Sequence, residues 1–147
     1  MYQIDQSNKI ENTGKTTYVC LANGQTFLSS IDAHEKQELK LFFRELGKPL
    51  IFKLFTFAVL CAKVIMASKA DVVEIDCEYT GYERQIKLFI SQVLLINKAQ
   101  NLDIWFAHVG KKSNAHLKGY VAMKNKSKGL RISAREVVYY YDKISKP

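Results

Sequence analysis

Short apolar, β-branched stretches separated by polar turn signals fill the first thirty residues, and helical spacing of apolar positions takes over after them. YQIDQSNKI (2–10) has strand-like content, with ENTGK following as a turn. TTYVCLA (16–22) is β-branched and aromatic, as strands prefer. Asn23-Gly24 comes next, the dipeptide that most readily takes the positive φ angles of a tight hairpin, and QTFLSSI (25–31) returns antiparallel. A three-stranded meander over 1–31 is the expectation.

Asp32 then offers a helix N-cap, with Glu35 three residues on to complete a capping box. Leu39, Phe42, Phe43 and Leu46 follow the i, i+3, i+4, i+7 pattern of an amphipathic helix. Gly47-Lys48-Pro49 closes that helix, and a second, more buried one runs from about Leu50 to Ser68. ADVVEIDCEY (70–79) reads as a strand, and Thr80-Gly81 as a turn. Tyr82, Ile86, Phe89, Ile90 and Val93 form the stripe of another helix. LDIWFAHVG (102–110) is a strand with no hairpin partner nearby. KKSNAHLKGYVAMKN (111–125) reads as a loop and helix capped by Ser113 or Asn114. The basic connector KSKGLR leads to Ile132-Ser133 and a last helix, AREVVYYYDK. Two late strands, each set off by a helix, require crossover connections and hence parallel pairing. The fold class predicted is α/β, a mixed sheet flanked by helices, in one domain spanning 1–147.

One stretch departs from this pattern. In VVEIDCEYTGYE (72–83), Glu74, Asp76 and Glu78 alternate with Ile75 and Cys77. A strand there projects three acids from one face within about 14 Å. An edge strand with a solvated side, or pairing with cations of a neighbouring helix, would account for them structurally. Asp5, inside the first strand, shifts the balance, because a buried acid is costly unless it is paired or coordinates a cation. If the first strand and strand 70–79 are neighbours, Asp5 and Asp76 face each other at the strand spacing of roughly 4.8 Å and can share a divalent ion. Converging carboxylates are hard oxygen ligands, suited to Mg²⁺ or Mn²⁺ rather than zinc.

Charge adds a second clue. Residues 1–110 hold 12 Lys+Arg and 12 Asp+Glu, which cancel. Residues 111–147 hold 10 Lys+Arg against only Glu136 and Asp142, so the whole net charge of +8 sits in the last quarter. Lys111, Lys112, Lys118, Lys124, Lys126, Lys128 and Arg131 are therefore the candidate contacts to a nucleic-acid phosphate backbone, a solvated soluble tail being the plainer alternative. Cys20, Cys61 and Cys77 lack metal-ligand spacing and are expected to be reduced, packed thiols of a cytoplasmic protein. MYQIDQSNK lacks the cationic and apolar regions of a secretory signal. PLIFKLFTFAVLCAKVIMA (49–67) is interrupted by Lys53 and Lys63, which favours a buried helix over a membrane span, and no membrane partner is expected.

The β-β-β-α-β-α-β-α order, with one acid in the first strand and another in the fourth, resembles the ribonuclease H-like superfamily, which includes ribonucleases H, Holliday-junction resolvases and transposase cores. IDQSNKIENTG looks like its first-strand signature, and IDCEYTGYE like its fourth-strand acid region followed by a helix. KKSNAHLKGYVA is similar to the last helix of the resolvases. The resemblance implies a five-stranded mixed sheet, three antiparallel N-terminal strands and then two parallel crossover strands. It also implies two-metal phosphodiester hydrolysis, in which Asp5 bridges the ions, Asp76 binds one, and Glu78 supplies a further ligand or orients water. Glu74 is left as a surface or supporting acid. A homodimer is left open, since branched-DNA cutters of the family work as dimers.

The chain departs from that pattern where the resolvases begin their last helix with acids, having instead Ser113, Asn114 and His116. His116 can ligate a metal or act as a general base near neutral pH, or can be a surface imidazole. The departure supports a second reading, a catalytically weak or inactive nucleic-acid-binding or scaffold module. A third is a protein-interaction domain whose basic end meets an acidic partner. His34 is expected to be exposed and His108 to be a sheet histidine. Of Tyr139, Tyr140 and Tyr141 at least one ring must be exposed, for packing or dimerisation rather than base stacking.

Overall fold

The structure is a computed structural model that describes residues 2–76, 78–99, 102–107 and 129–146. In chain order these form β1 (Tyr2–Ser7), β2 (Thr17–Asn23), β3 (Gln25–Ile31), α1 (Ala33–Glu45), α2 (Pro49–Ser68), β4 (Val72–Asp76), α3 (Glu83–Ile96), β5 (Asp103–Ala107), β6 (Leu130–Arg131) and α4 (Ala134–Ser145). The sheet order is β5-β4-β1-β2-β3-β6. β1, β2 and β3 pair antiparallel, whereas β4 pairs parallel with both β1 and β5. This is the predicted α/β class and mixed sheet, with a sixth strand added.

The meander forms where strand content and the Asn23-Gly24 turn predict it. β2 reverses into β3 between Asn23 and Gln25, and Gly24 supplies the positive φ, 78°. β6 was not foreseen: two residues of the basic connector pair parallel with β3 at Ser29 and Ser30. Gly129 permits that approach, since a Cβ there would run into the Leu28 carbonyl. Ile132, 3% exposed, anchors the strand, and its N–H donates to Ser30 O at 2.8 Å.

α2 is the core helix, with twelve buried residues from Phe52 to Ile65. It packs on β2 and β3 and against α1, α3 and α4. Ser29 Oγ donates to Leu60 O of α2 at 3.0 Å, which identifies the helix-covered face of the sheet. By strand parity and register, Ile4, Leu21, Val73, Ile75 and Ile104 point to that face, and all are buried. α2 is also long and apolar enough to cross a membrane, but two thirds of it is buried within the fold, as a core helix is. Cys20 and Cys61 are buried and not in disulfides, as expected, and burial pushes the Cys61 thiol well up. Cys77 lies outside the described residues.

Two helix expectations need correction. Asp32 and Glu35 form no capping box. Asp32 accepts from Arg131 Nη2 at 2.7 Å and from Thr16 Oγ1 at 3.2 Å, while Glu35 accepts from the Ala134 N–H at 3.3 Å. Tertiary partners have replaced the local ones. The stripe on α1 also shifts: Leu46 is 48% exposed, whereas Lys36 joins Leu39 and Phe43 in the interior. α4 begins as predicted, with Ser133 Oγ accepting from the Glu136 N–H at 3.1 Å. Tyr139 is the exposed ring, and Tyr141 packs edge-on to Phe43 at 5.0 Å and Phe55 at 5.4 Å.

Candidate metal centre

β1 lies between β2 and β4, and its register with β4 is set by Ile4 opposite Ile75. One residue further along each strand stand Asp5 and Asp76. They therefore project side by side from the face opposite α2. Asp5 is 5% exposed, and its Oδ1 accepts the Gln6 N–H at 2.8 Å. Asp76, Asp5 and Glu78 each offer a carboxylate oxygen, and the three oxygens lie within 4.8 Å of one another. The pairing of Asp5 with Asp76 is the one anticipated from the crossover logic of the sequence.

Glu78 arrives differently from expectation. β4 ends at Asp76, so Glu78 is not on the strand face. Its N–H donates to Asp76 O at 2.9 Å, a tight reversal that folds its side chain back onto the aspartates. Burial first, then the hydrogen bond and charge of Asp76, and last the charge of Asp5, push the Glu78 carboxyl up to about 7; Lys9 opposes them. Lys9 Nζ stands 3.8 Å from Glu78 Oε2, with its own side chain 58% exposed. Two carboxylate charges 4.8 Å apart repel by about 3.5 kcal/mol at an effective dielectric constant of 20. A proton on Glu78 relieves that repulsion, and so would a cation. The donor set fits a hard divalent ion: three carboxylate oxygens close enough to lie roughly 2.0–2.6 Å from a common centre.

Glu74, two residues before Asp76 on β4, has Trp105 as its register partner on β5 and takes no part in the cluster. Arg131 lies on β6 at the far edge of the sheet, its guanidinium on Asp32. His34 is exposed and pairs with Glu38 at 3.0 Å. His116, the candidate base, and Lys111, Lys112, Lys118, Lys124, Lys126 and Lys128 lie outside the described residues, as do His108, Ser113 and Asn114.

Three supporting residues were not singled out from the sequence. Tyr79, directly after Glu78, is 6% exposed and lies 3.2 Å from Gln6 Oε1 and 3.1 Å from Glu11 Oε1 through its hydroxyl. Burial, and then the Glu11 charge, raise its phenol far above the usual range. Tyr79 thereby ties the turn carrying Glu78 to the β1–β2 loop. Lys36 holds that loop from α1, donating to Asn12 O at 2.5 Å, Thr17 Oγ1 at 2.9 Å and Lys9 O at 3.5 Å. Lys9 is carried on the loop they hold. The available signals were an aromatic next to an acid and a lysine in phase with an apolar stripe; neither specifies a partner.

Fold and site together define an α/β protein with a mixed sheet and an acidic centre on its two middle parallel strands. Compared with protein-family models, with curated proteins and with solved structures, the chain matches none.

Proposed function

We propose that this chain is a divalent-metal-dependent nuclease of the ribonuclease H-like kind, hydrolysing phosphodiester bonds in nucleic acid. The observation that carries the reading is the juxtaposition of Asp5 on β1 with Asp76 on the adjacent parallel strand β4, with Glu78 folded onto both. The antiparallel β1–β3 meander, continued by two parallel crossover strands, agrees with the sheet that the resemblance implies. Asp5, Asp76 and Glu78 are the residues that would hold Mg²⁺ or Mn²⁺. Bound there, such ions supply charge stabilisation for the attacking and leaving oxygens of a phosphodiester.

The chain's own residues account for the rest. Asp5, buried and fixed by the Gln6 N–H, keeps its remaining oxygen in a set direction. Glu78, its carboxyl pushed up to about 7 by burial and Asp76, would give up its proton to bind a cation, so that the ligand set would gain charge on binding. Lys9, exposed and beside Glu78, can meet a phosphate entering the site. The second reading, an inactive nucleic-acid-binding or scaffold module, is favoured by one observation, the Ser113, Asn114 and His116 that stand where the resemblance calls for an acid.

Incubation with RNA–DNA hybrid, branched DNA and single strands in Mn²⁺ separates the two. The nuclease reading expects cleavage by the wild-type protein and its loss in Asp5→Asn. Intact substrates throughout, or equal cleavage by Asp5→Asn, sinks it.

A further inference from the structure

We infer that a cationic groove between α1 and α2 guides the phosphate backbone of the nucleic acid to the acidic centre; this rests on the nucleic-acid reading above and adds the surface that binds it. α1 carries Lys36, Lys40 and Arg44 at four-residue intervals, and Lys48 continues the interval past its end. On a helix such positions lie one above another along one side. Lys36 is buried under the β1–β2 loop, whereas Lys40 and Arg44 are exposed. Together with Glu11, Pro49, Leu50, Phe52 and Lys53, Lys40 and Arg44 line a surface cleft of about 330 Å³.

Among the described residues no carboxylate lies within ion-pair distance of Lys40 or Arg44. Among the described residues Glu11 is the one acid of the lining, and it is already engaged by Lys53 Nζ at 4.0 Å and the Tyr79 hydroxyl at 3.1 Å. The first turn of α2 adds no acid. Three cations thus face a single, occupied carboxylate.

Two contacts connect the groove with the acidic centre. Lys53 Nζ stands over the Tyr79 ring at 5.7 Å, and Tyr79 follows Glu78 in the chain. Lys9, on the same loop as Glu11 of the groove, reaches Glu78 at 3.8 Å. Residues 1–110 are electrically balanced as a whole, so this clustering is not the by-product of a uniformly basic chain. An open cleft with spaced cations and an apolar floor of Phe52 and Leu50 suits a polyphosphate strand that passes through it.

The test measures binding of a labelled 30-base-pair DNA duplex in EDTA across a salt series, for wild type and Lys40→Gln/Arg44→Gln/Lys53→Gln. A control, Lys69→Gln/Lys87→Gln/Lys98→Gln, removes equal charge from other surfaces. Each lost phosphate contact lowers the slope of log K against log salt by about 0.9, so the groove variant is expected to lose up to about 2.7. Its affinity at low salt falls roughly 10–100-fold, while the control changes little. If the groove variant melts early, Lys40→Gln/Arg44→Gln, at two exposed positions, is expected to lose up to about 1.8 of slope. Equal slopes for groove and control variants overturn the inference, as does a wild type that binds no duplex. Displacement of the duplex by polyglutamate at lower charge concentration than by unlabelled duplex overturns it in favour of an acidic protein partner. Cleavage in Mn²⁺ is scored separately: a lowered slope without cleavage supports the groove and defeats the nuclease reading, whereas cleavage with an unchanged slope does the reverse.

Discussion

Lys36 on α1 and the carboxylates at the ends of β1 and β4 are both ionisable groups withdrawn from water, yet their surroundings are opposite. Lys36 is 0% exposed and meets three oxygens, Asn12 O, Thr17 Oγ1 and Lys9 O, that suit an ammonium. Burial still lowers its pKa to about 8, with Glu11 partly opposing. Asp5, Asp76 and Glu78 converge on one another, and around Glu78 burial and its acidic neighbours outweigh Lys9. A buried charge met by fixed complementary partners is a structural fastener. Buried charges of one sign gathered together raise the energy of the apo fold and are relieved by a proton or a cation. Lys36 thus clamps a loop, whereas the three acids form a candidate cation site.

Substitutions should separate these roles most sharply. Asp5→Asn is expected to lower Mn²⁺-dependent cleavage by ~10³-fold or more, since a metal site supplies several kcal/mol of barrier lowering. Its melting temperature should move by the equivalent of less than about 1 kcal/mol, because Asn keeps the acceptor for Gln6 while shedding a like charge. Lys36→Ala should do the reverse for stability. It leaves a cavity and three oxygens without their donor, costing about 3 kcal/mol, or roughly 10 °C in thermal melts. If Asp5→Asn melts well below Lys36→Ala, the assigned roles of clamp and cation site are wrong.

The two groups also predict opposite responses to pH. Glu78 binds its proton more tightly folded than unfolded, between the ordinary 4.5 and about 7. Stability of the metal-free protein should therefore fall as pH rises through that window, by on the order of 2–3 kcal/mol. Glu78→Gln should flatten the profile, and millimolar Mn²⁺ should restore stability at pH 7.5. Lys36 has its folded pKa at about 8 against 10.5 unfolded, so its contribution is lost as pH falls through 8 and returns as pH rises toward 10.5. Lys36→Met should abolish that rise between pH 8 and 9.5; above about 10, Tyr79 acts in the other direction, because its phenol resists ionisation only when folded. Denaturant melts across pH measure both. The smallest expected effect is that of Lys9→Ala. Removing a half-exposed ion-pair partner should change stability by under about 1 kcal/mol, yet move the Glu78 transition further upward.

The meander and the stripe of α3 were legible because each rests on local signals: β-branched and aromatic runs joined by Asn23-Gly24, and period 3.6 over Ile86–Val93. The Asp5–Asp76 pair was legible at one remove, since crossover connections put β4 beside β1. What escaped depends on tertiary contact. β6 is two residues long, and its pairing is allowed by the absence of a Cβ at Gly129, so no periodicity announces it. The Asp32/Glu35 capping box was displaced because Arg131 and Ala134, each 99 residues away in sequence from its partner, take both acids. Glu78 does stand beside the two aspartates, but through a turn and not through the strand parity expected, since the strand stops before it. The groove cations span Lys9 to Lys53 and share no local pattern beyond the α1 row.

An ion held between Asp5 and Asp76 would be seen in crystals soaked in Mn²⁺ and measured at the manganese absorption edge. Anomalous density is expected within roughly 2.0–2.6 Å of carboxylate oxygens from both aspartates. Manganese bound elsewhere, with these carboxylates unliganded, would contradict it.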